Sequence, residues 1–402
     1  MPSPIDRNGI HRARVSAAME STDGAARDPG ARRLRVAVDG TPLLGARTGV
    51  GEFTFHLLRA LEARADVDPV AYLVTRHGAR DLAPFLPPGV VAGTSRLPAR
   101  LAHAAWRRWG RPRIEHWTGG GTDVVHATNY VAPPARAPVL VTVHDLGYLR
   151  YPELCRPEVL AFDGAVRQAL QRGAVVHTVS DYVAGEVREA YGLGGDRVMR
   201  VYPAPAARAD GDPARGRRIS GADRYVLALG TVEPRKNLPT LLRAVDALER
   251  DEADVRLVVA GGLGWDGGDF EVTRSRMAGP ERVVTLGYVD DAARADLLAG
   301  ATVFAFPSLY EGFGLPPLEA MRAGVPVVAS DAGSLPEVLG DAALLVEPRD
   351  VDGLATALTG VLRDARLRSR LVALGADRAR RYSWERTARE LTDRYRVLAT
   401  RR

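Results

Sequence analysis

The sequence predicts two α/β domains, each a doubly wound parallel sheet, facing one another across a cleft. Three observations predict it. At 402 residues the chain is too long for one ordinary core. Its short apolar runs read as strands buried on both faces, and they alternate with segments of helical period. That alternation stops at a Pro- and Gly-rich stretch and then starts afresh, which implies two sheets rather than one.

The elements follow in order. Residues 1–33 have no hydrophobic periodicity and are rich in Arg, Ala, Gly, Pro and Ser, so they read as a disordered extension, with Met19 an alternative start. The first domain spans 34–205. It opens with the strand Leu34–Asp39, a glycine-bearing loop with Gly45, Gly49 and Gly51, and a helix from Glu52 to about Ala63 with Phe53, Leu57, Leu58 and Leu61 on one face. Further strands fit Val70–Thr75, Thr122–His126, Val139–His144 and Val175–Ser180. Pro203, Pro205 and Pro213 with their Gly and Asp neighbours make 206–223 a linker. The second domain, 224–382, repeats the pattern: strand Tyr225–Gly230, helix Pro239–Glu249, strands Val255–Gly261 and Val283–Leu286, helix Asp291–Leu298, strand Thr302–Pro307, helix Pro317–Ala323 and strand Val325–Ala329. A last helix over 383–402, capped by Ser383 and with Glu385 in its first turn, could cross back to the first domain.

Composition narrows the function. The net charge of +6 invites nucleic acid, yet the basic residues are scattered among 49 acids and form no stripe, so nucleic acid is not an expected partner. No apolar run reaches the 18 or so residues of a membrane span, and the first thirty residues lack the apolar core of a signal peptide. A single cysteine, Cys155, rules out an intramolecular disulfide and a thiolate zinc site. A cytoplasmic enzyme is expected. Lys236 is the only lysine in an arginine-rich chain, which suggests that its position wants a compact ammonium.

The densest motif is Glu311-Gly-Phe-Gly-Leu-Pro-Pro-Leu-Glu319, between a strand and a helix. Gly312 and Gly314 let backbone approach a ligand, and Pro316 and Pro317 preset the first helical turn. The amides of Gly314 and Leu315 then sit at a helix N-terminus, a site for a diphosphate. Glu311 and Glu319 flank that site. As carboxylates they suit hydroxyls rather than phosphate, which describes a nucleotide-sugar. Either glutamate alone could be ordinary, one a solvated loop residue and the other an acid in the helix's first turn. The second motif, Gly230-Thr-Val-Glu-Pro-Arg-Lys-Asn237, ends a strand. Arg235 can fork onto a phosphate, Lys236 adds a point charge, and Asn237 reads as the cap of the next helix. His144-Asp145 ends a first-domain strand and faces the cleft, with His126 and Ser180 at comparable strand ends.

The E-x7-E spacing, with Gly-Phe-Gly-Leu-Pro between the acids, resembles that of the retaining glycosyltransferases of family four, which have two Rossmann-like domains (the GT-B architecture). The resemblance runs from about Leu34 to the C-terminus. It implies that Arg235 and Lys236 bind the donor diphosphate and that His144 contacts the transferred sugar. It also implies that Gly49 and Gly51 lie near donor and acceptor, and that Gly287-Tyr288-Val289 holds the nucleobase. The expected catalytic set is therefore His144, Arg235, Lys236 and Glu311. The expected donor-binding set adds Gly49, Gly51, Gly230, Thr231, Tyr288, Val289, Gly312, Phe313, Gly314, Leu315 and Glu319.

No Asp-x-Asp cluster is placed for a divalent ion, and Asp290-Asp291 reads as a helix start, so no metal and no cofactor is expected. The leaving-group charge then falls to Arg235, Lys236 and the Gly314–Leu315 amides. The resemblance further implies same-face attack, with the leaving phosphate taking the proton. The motif wording is most like bacterial mannosyltransferases that use GDP-mannose for polysaccharide or glycolipid assembly, with UDP-sugars as the alternative donors. Residues 96–117 carry Arg100, Arg107, Arg108, Arg111 and Arg113 among Trp106, Trp109 and Trp117, a pattern suited to an anionic membrane surface and a lipid-linked acceptor at its inner face. A surface helix with tryptophans packed inward is the alternative. Rival readings are a sugar-nucleotide epimerase and a non-catalytic sugar-nucleotide-binding protein.

Overall fold

Strands made of Val, Leu and Ala can be buried on both faces only if helices cover both sides of their sheet, and the computed structural model builds two such sheets. It describes residues 32–401 apart from 45–48, 74–78, 94–96, 207–209, 249–251, 253 and 263. Most of the extension read over 1–33 thus lies outside the described residues, as does the Gly45 end of the glycine loop.

The first sheet contains β1 (Leu34–Asp39), β2 (Val67–Tyr72), β3 (Val91–Ala92), β4 (Val124–Ala127), β5 (Val139–Val143), β6 (Val175–Thr178) and β7 (Val198–Arg200). They are parallel, in the order β3-β2-β1-β4-β5-β6-β7. The second contains β8 (Tyr225–Leu229), β9 (Arg256–Ala260), β10 (Val283–Gly287), β11 (Val303–Phe306), β12 (Val327–Ser330) and β13 (Ala343–Val346). These run parallel in the order β10-β9-β8-β11-β12-β13. In each sheet the order reverses at one place, between β1 and β4 and between β8 and β11. Ligands of such sheets bind beyond the carboxyl ends of the strands at that switch point. The predicted motifs after β8 and β11 lie there.

The linker read over 206–223 is partly helical. Pro213–Ser220 forms a helix because Asp212 caps the amides of Ala214 and Arg215, Pro213 starts the first turn and Gly221 closes the end at φ 65°. Gly216 packs on the Asp296 carbonyl, where a Cβ would come within 2.0 Å. Asn237 heads the next helix, but its side chain does not cap it. Its amide donates to the carbonyls of Pro307 (3.0 Å) and Pro348 (2.5 Å), and its Oδ1 accepts from Thr240. β3 and β7 are too short for a periodicity to register.

The last helix, Trp384–Ala399, is capped by Ser383 and packs on the first sheet, where Ala388, Leu391 and Leu398 join Leu57, Leu58 and Leu61 in one core. Each buried leucine contributes roughly 1.5–3 kcal/mol. Within that contact a chain of polar groups is fully buried: Tyr395 OH to His126 Nδ1 (2.6 Å), His126 Nε2 to Thr142 Oγ1 (2.7 Å), Thr142 Oγ1 to His177 Nδ1 (3.0 Å), and His177 Nε2 to the Val201 carbonyl (3.0 Å). The carbonyl can only accept, so every proton in the chain points towards Val201 and both histidines carry hydrogen on Nε2. Burial holds His177 neutral, down to about 4, and pushes His126 well below its ordinary value. His126 is thus a core residue and not a cleft residue as its strand-end position suggested.

Candidate active site

Two loops build the site from the second sheet. The first leaves β8 at Gly230, whose φ of 143° suits glycine, and turns through Pro234–Lys236. The second leaves β11 and carries Tyr310, Glu311 and Gly312. They are bound together by one backbone bond and one side-chain bond: Leu309 N–H donates to the Arg235 carbonyl (2.8 Å), and the Arg235 guanidinium donates to the Tyr310 carbonyl (2.9 Å). Ser334 Oγ lies 3.0 Å from the carbonyls of both Glu311 and Phe313. Gly333, at φ 59°, lets that turn approach, since a Cβ there would lie 2.4 Å from the Glu311 carbonyl.

The charged groups converge at this junction. Lys236 Nζ meets Glu311 Oε1 at 2.7 Å, Arg235 Nη1 meets Glu311 Oε2 at 3.0 Å, and Arg235 Nη2 meets Glu233 at 2.8 Å. The ammonium also sits 4.8 Å over the Phe306 ring. Burial alone would raise the Glu311 carboxyl. Arg235 and Lys236 outweigh it and hold that carboxyl at about 2. Burial likewise acts against the Arg235 cation, but Glu311, Asp145 and Glu233 keep it above its ordinary value. The reading of Glu311 as a carboxylate for hydroxyls alone is therefore incomplete: it is also the counter-ion of both cations, and any hydroxyl shares it with them.

Glu319 departs further from expectation. The helix runs Leu315–Arg322, so Glu319 is its fifth residue and not in its first turn. Its carboxylate is buried and paired with Arg294, a residue that nothing in the motif announces. Gly314 heads this helix at φ 116°. Pro316 and Pro317 fall in the first turn and bring no N–H, so the donors for an anion there are the amides of Gly314 and Leu315.

The first sheet supplies the opposite wall. His144 follows β5. Its Nε2 donates to the Thr128 carbonyl (2.7 Å), its ring meets Phe53 edge-on at 5.1 Å, and burial keeps it neutral, which leaves Nδ1 as an acceptor. The His144 carbonyl lies against Gly312, where a Cβ would come within 1.8 Å. Asp145 lies beside the same glycine, 3.0 Å from that Cβ position. Ser180 caps the helix Asp181–Tyr191 and donates to the Gly312 carbonyl at 2.8 Å. His144, Arg235, Lys236, Glu311 and Gly312 are thus one constellation.

The family models for glycosyl transferases group 1 and Glycosyltransferase Family 4 match residues 214–378 and 47–204 respectively. The chain is 32% identical over 308 residues to a phosphatidyl-myo-inositol mannosyltransferase of Mycobacterium leprae, covering 72% of this chain and 77% of that protein. The chain belongs to glycosyltransferase family 4. This glycosyltransferase is also similar to the O-antigen chain mannosyltransferase B of Escherichia coli, with 29% identity over 383 residues, 89% of this chain and 98% of the other. Its fold matches sucrose-phosphate synthase from Thermosynechococcus elongatus with a TM-score of 0.71 at 20% identity, covering 92% and 100% of the two chains.

The other predicted residues of this family 4 enzyme fall as follows. Gly49 and Gly51 open the helix Gly49–Glu62, which carries Phe53 to His144. Thr231 is exposed next to Gly230. Gly287, at φ 65°, ends β10, after which Tyr288 is 69% exposed and Val289 packs on the second core. Phe313 is buried between Tyr202 and Tyr382 and supports the loop from behind. Tyr310, Arg294 and Ser334 carry no sequence signal of their own, because each acts through a partner distant in the chain. Glu233 lies inside the Gly230–Asn237 motif, two residues from the Arg235 it pairs with.

In the stretch 96–117 the tryptophans divide. Trp106 is buried with its Nε1 donating to the Pro112 carbonyl (2.9 Å), and Trp117 lies 5.9 Å from it. Of the three, only Trp109 points outward, 70% exposed at the end of the helix Ala99–Trp109. Among the described residues no helix is long and apolar enough to cross a membrane.

Proposed function

We propose that this enzyme transfers mannose from GDP-mannose to a glycan or lipid-linked acceptor, with retention and without a metal ion. The observation that carries the reading is the meeting of Lys236 and Arg235 with Glu311 at the second sheet's switch point, on a loop that leads into the helix start at Gly314 and packs at Gly312 against the His144 carbonyl. The bond from the sugar's anomeric carbon to the phosphate breaks, and the bond to the acceptor oxygen forms on the same face. The acceptor's proton passes to the departing phosphate. Charge growing on that phosphate is met by two fixed cations and by backbone amides, which need no reorganisation. His144 Nδ1 and the Glu311 carboxylate would accept hydrogen bonds from sugar hydroxyls, and Glu319 with Arg294 would hold the ribose side. Two similar proteins named as mannosyltransferases favour mannose. UDP-sugars are the second choice.

Thermal unfolding with a panel of nucleotide-sugars tests the donor. GDP-mannose at about 100 times its Kd should stabilise the fold by roughly 2.7 kcal/mol, with UDP-glucose giving less. Protection by none of the panel would sink the reading.

We also propose that the helix Ala99–Trp109 rests on an anionic membrane surface, which suits a lipid-linked acceptor. Leu97, Leu101 and Trp109 are exposed, and Arg107 and Arg108 are exposed beside Trp109. The protein should co-sediment with phosphatidylglycerol vesicles, and the double variant Arg107→Glu/Arg108→Glu should not. Equal binding by both, or by neither, refutes the membrane contact.

A further inference from the structure

One side-chain hydroxyl of the donor loop makes both its hydrogen bonds to the other half of the molecule. Tyr310, 1% exposed, precedes Glu311. Its hydroxyl accepts from the Leu146 amide (2.9 Å), just past His144 and Asp145, and donates to Glu186 Oε2 (2.5 Å). Glu186 is itself buried and is held by Arg150 through Oε1 (2.8 Å). A second bond pattern crosses nearby. Glu337, three residues beyond the Ser334 that fixes the donor loop, accepts the amides of Asp181 (2.8 Å) and Tyr182 (2.8 Å) and the hydroxyl of Tyr202 (2.9 Å). A third is weaker: Trp265 Nε1 reaches the Leu154 carbonyl (3.3 Å) while Arg156 lies over its ring at 4.4 Å.

We propose that Tyr310 is a positioning residue: its hydroxyl ties the loop bearing Glu311 to the strand end bearing His144, with Glu337 the second tie, so that the two walls of the site are set by these bonds. The inference rests on the donor site proposed above. The physical reason is differential. With the halves together, loss of the hydroxyl leaves a buried amide and a buried carboxylate oxygen unpaired. With the halves apart, water satisfies both. Removing it therefore favours separation without touching Arg235 or Lys236, the groups that would hold a diphosphate.

The single cysteine supplies a readout that needs no ligand. Cys155 lies between Leu154 and Arg156, the two residues that meet Trp265. A Cβ built on Gly147 would lie 3.8 Å from the Tyr310 ring and 3.9 Å from Cys155 Sγ, so the thiol sits beside the tie. Separation of the halves should uncover it.

Tyr310→Phe keeps the ring and removes only the hydroxyl. Its kcat with GDP-mannose should fall on the order of 10- to 100-fold. Its affinity for GDP, measured by calorimetry, should stay within about twofold of wild type, and N-ethylmaleimide should modify Cys155 severalfold faster. Glu337→Gln should shift kcat and Cys155 in the same directions by less, and it keeps the test open should Tyr310→Phe fail to fold. Unchanged Cys155 reactivity in the folded variants overturns the proposal. So does a loss of GDP affinity in step with kcat, which would make the defect local to the donor loop. Wild-type protein that bound no GDP and turned over no nucleotide-sugar would sink the donor reading instead, and Cys155 reactivity would still decide the tie.

Discussion

Lys236→Ala should lower the rate of sugar transfer by about 100- to 1000-fold, the usual loss when one fixed stabiliser of developing charge is removed. The ammonium is one of two cations on Glu311, 2.7 Å away, and it lies over the Phe306 ring at the mouth of the switch point. Arg235 still neutralises Glu311 in this variant, so circular dichroism should show the fold kept even where the melting temperature falls. Lys236→Arg should recover only part of the loss, because a planar fork cannot replace a point charge with Phe306 on one side and Gly230 on the other. Glu311→Gln tests the same cluster from its anionic side. It frees Lys236, leaves Arg235 to Glu233 and removes one acceptor oxygen for a hydroxyl, so transfer should fall while inorganic pyrophosphate or GDP binds at least as tightly as before. Steady-state kinetics with calorimetry reads both, and near-normal transfer by both Lys236→Ala and Glu311→Gln would remove the proposed site.

Gly312→Ala should cost on the order of 100-fold in kcat through position alone. The new methyl would meet the His144 carbonyl at 1.8 Å and the Asp145 Cβ at 3.0 Å, and backbone cannot swing away as a side-chain end can. Something must move by about an ångström. Gly312 belongs to one half and His144 to the other, so the relief available is to push the halves apart. The second half's own core is not crowded, so GDP affinity should be nearly kept. A variant with full activity would show that the two walls need not meet this closely.

Much of this was legible in the chain. Continuous apolar runs such as Tyr225–Leu229 and Val303–Phe306 can be satisfied only between helices, so the parallel sheets follow from them. The Gly230–Asn237 and Glu311–Glu319 motifs are local, and their glycines, prolines and charges can be read as a candidate phosphate cradle before any fold is known. Pro213 hid a short helix because Gly and Pro near it read as linker, whereas Asp212 and Gly221 are the two caps of that helix. Asn237 was placed rightly and given the wrong bonds: its partners, the carbonyls of Pro307 and Pro348, are far along the chain.

Local order thus determined the two sheets, the loops that follow β8 and β11, and the cations on them, because periodicity, turns and helix starts depend on neighbours within a few residues. Tertiary structure alone decided that Glu311 neutralises Arg235 and Lys236, that Glu319 belongs to Arg294, that His126 is core, and that Tyr310 reaches Leu146 and Glu186. Those are pairings between residues 25 to 269 positions apart, and a pairing of that kind is fixed by which strands lie side by side at the switch points, a property that no short stretch of sequence contains.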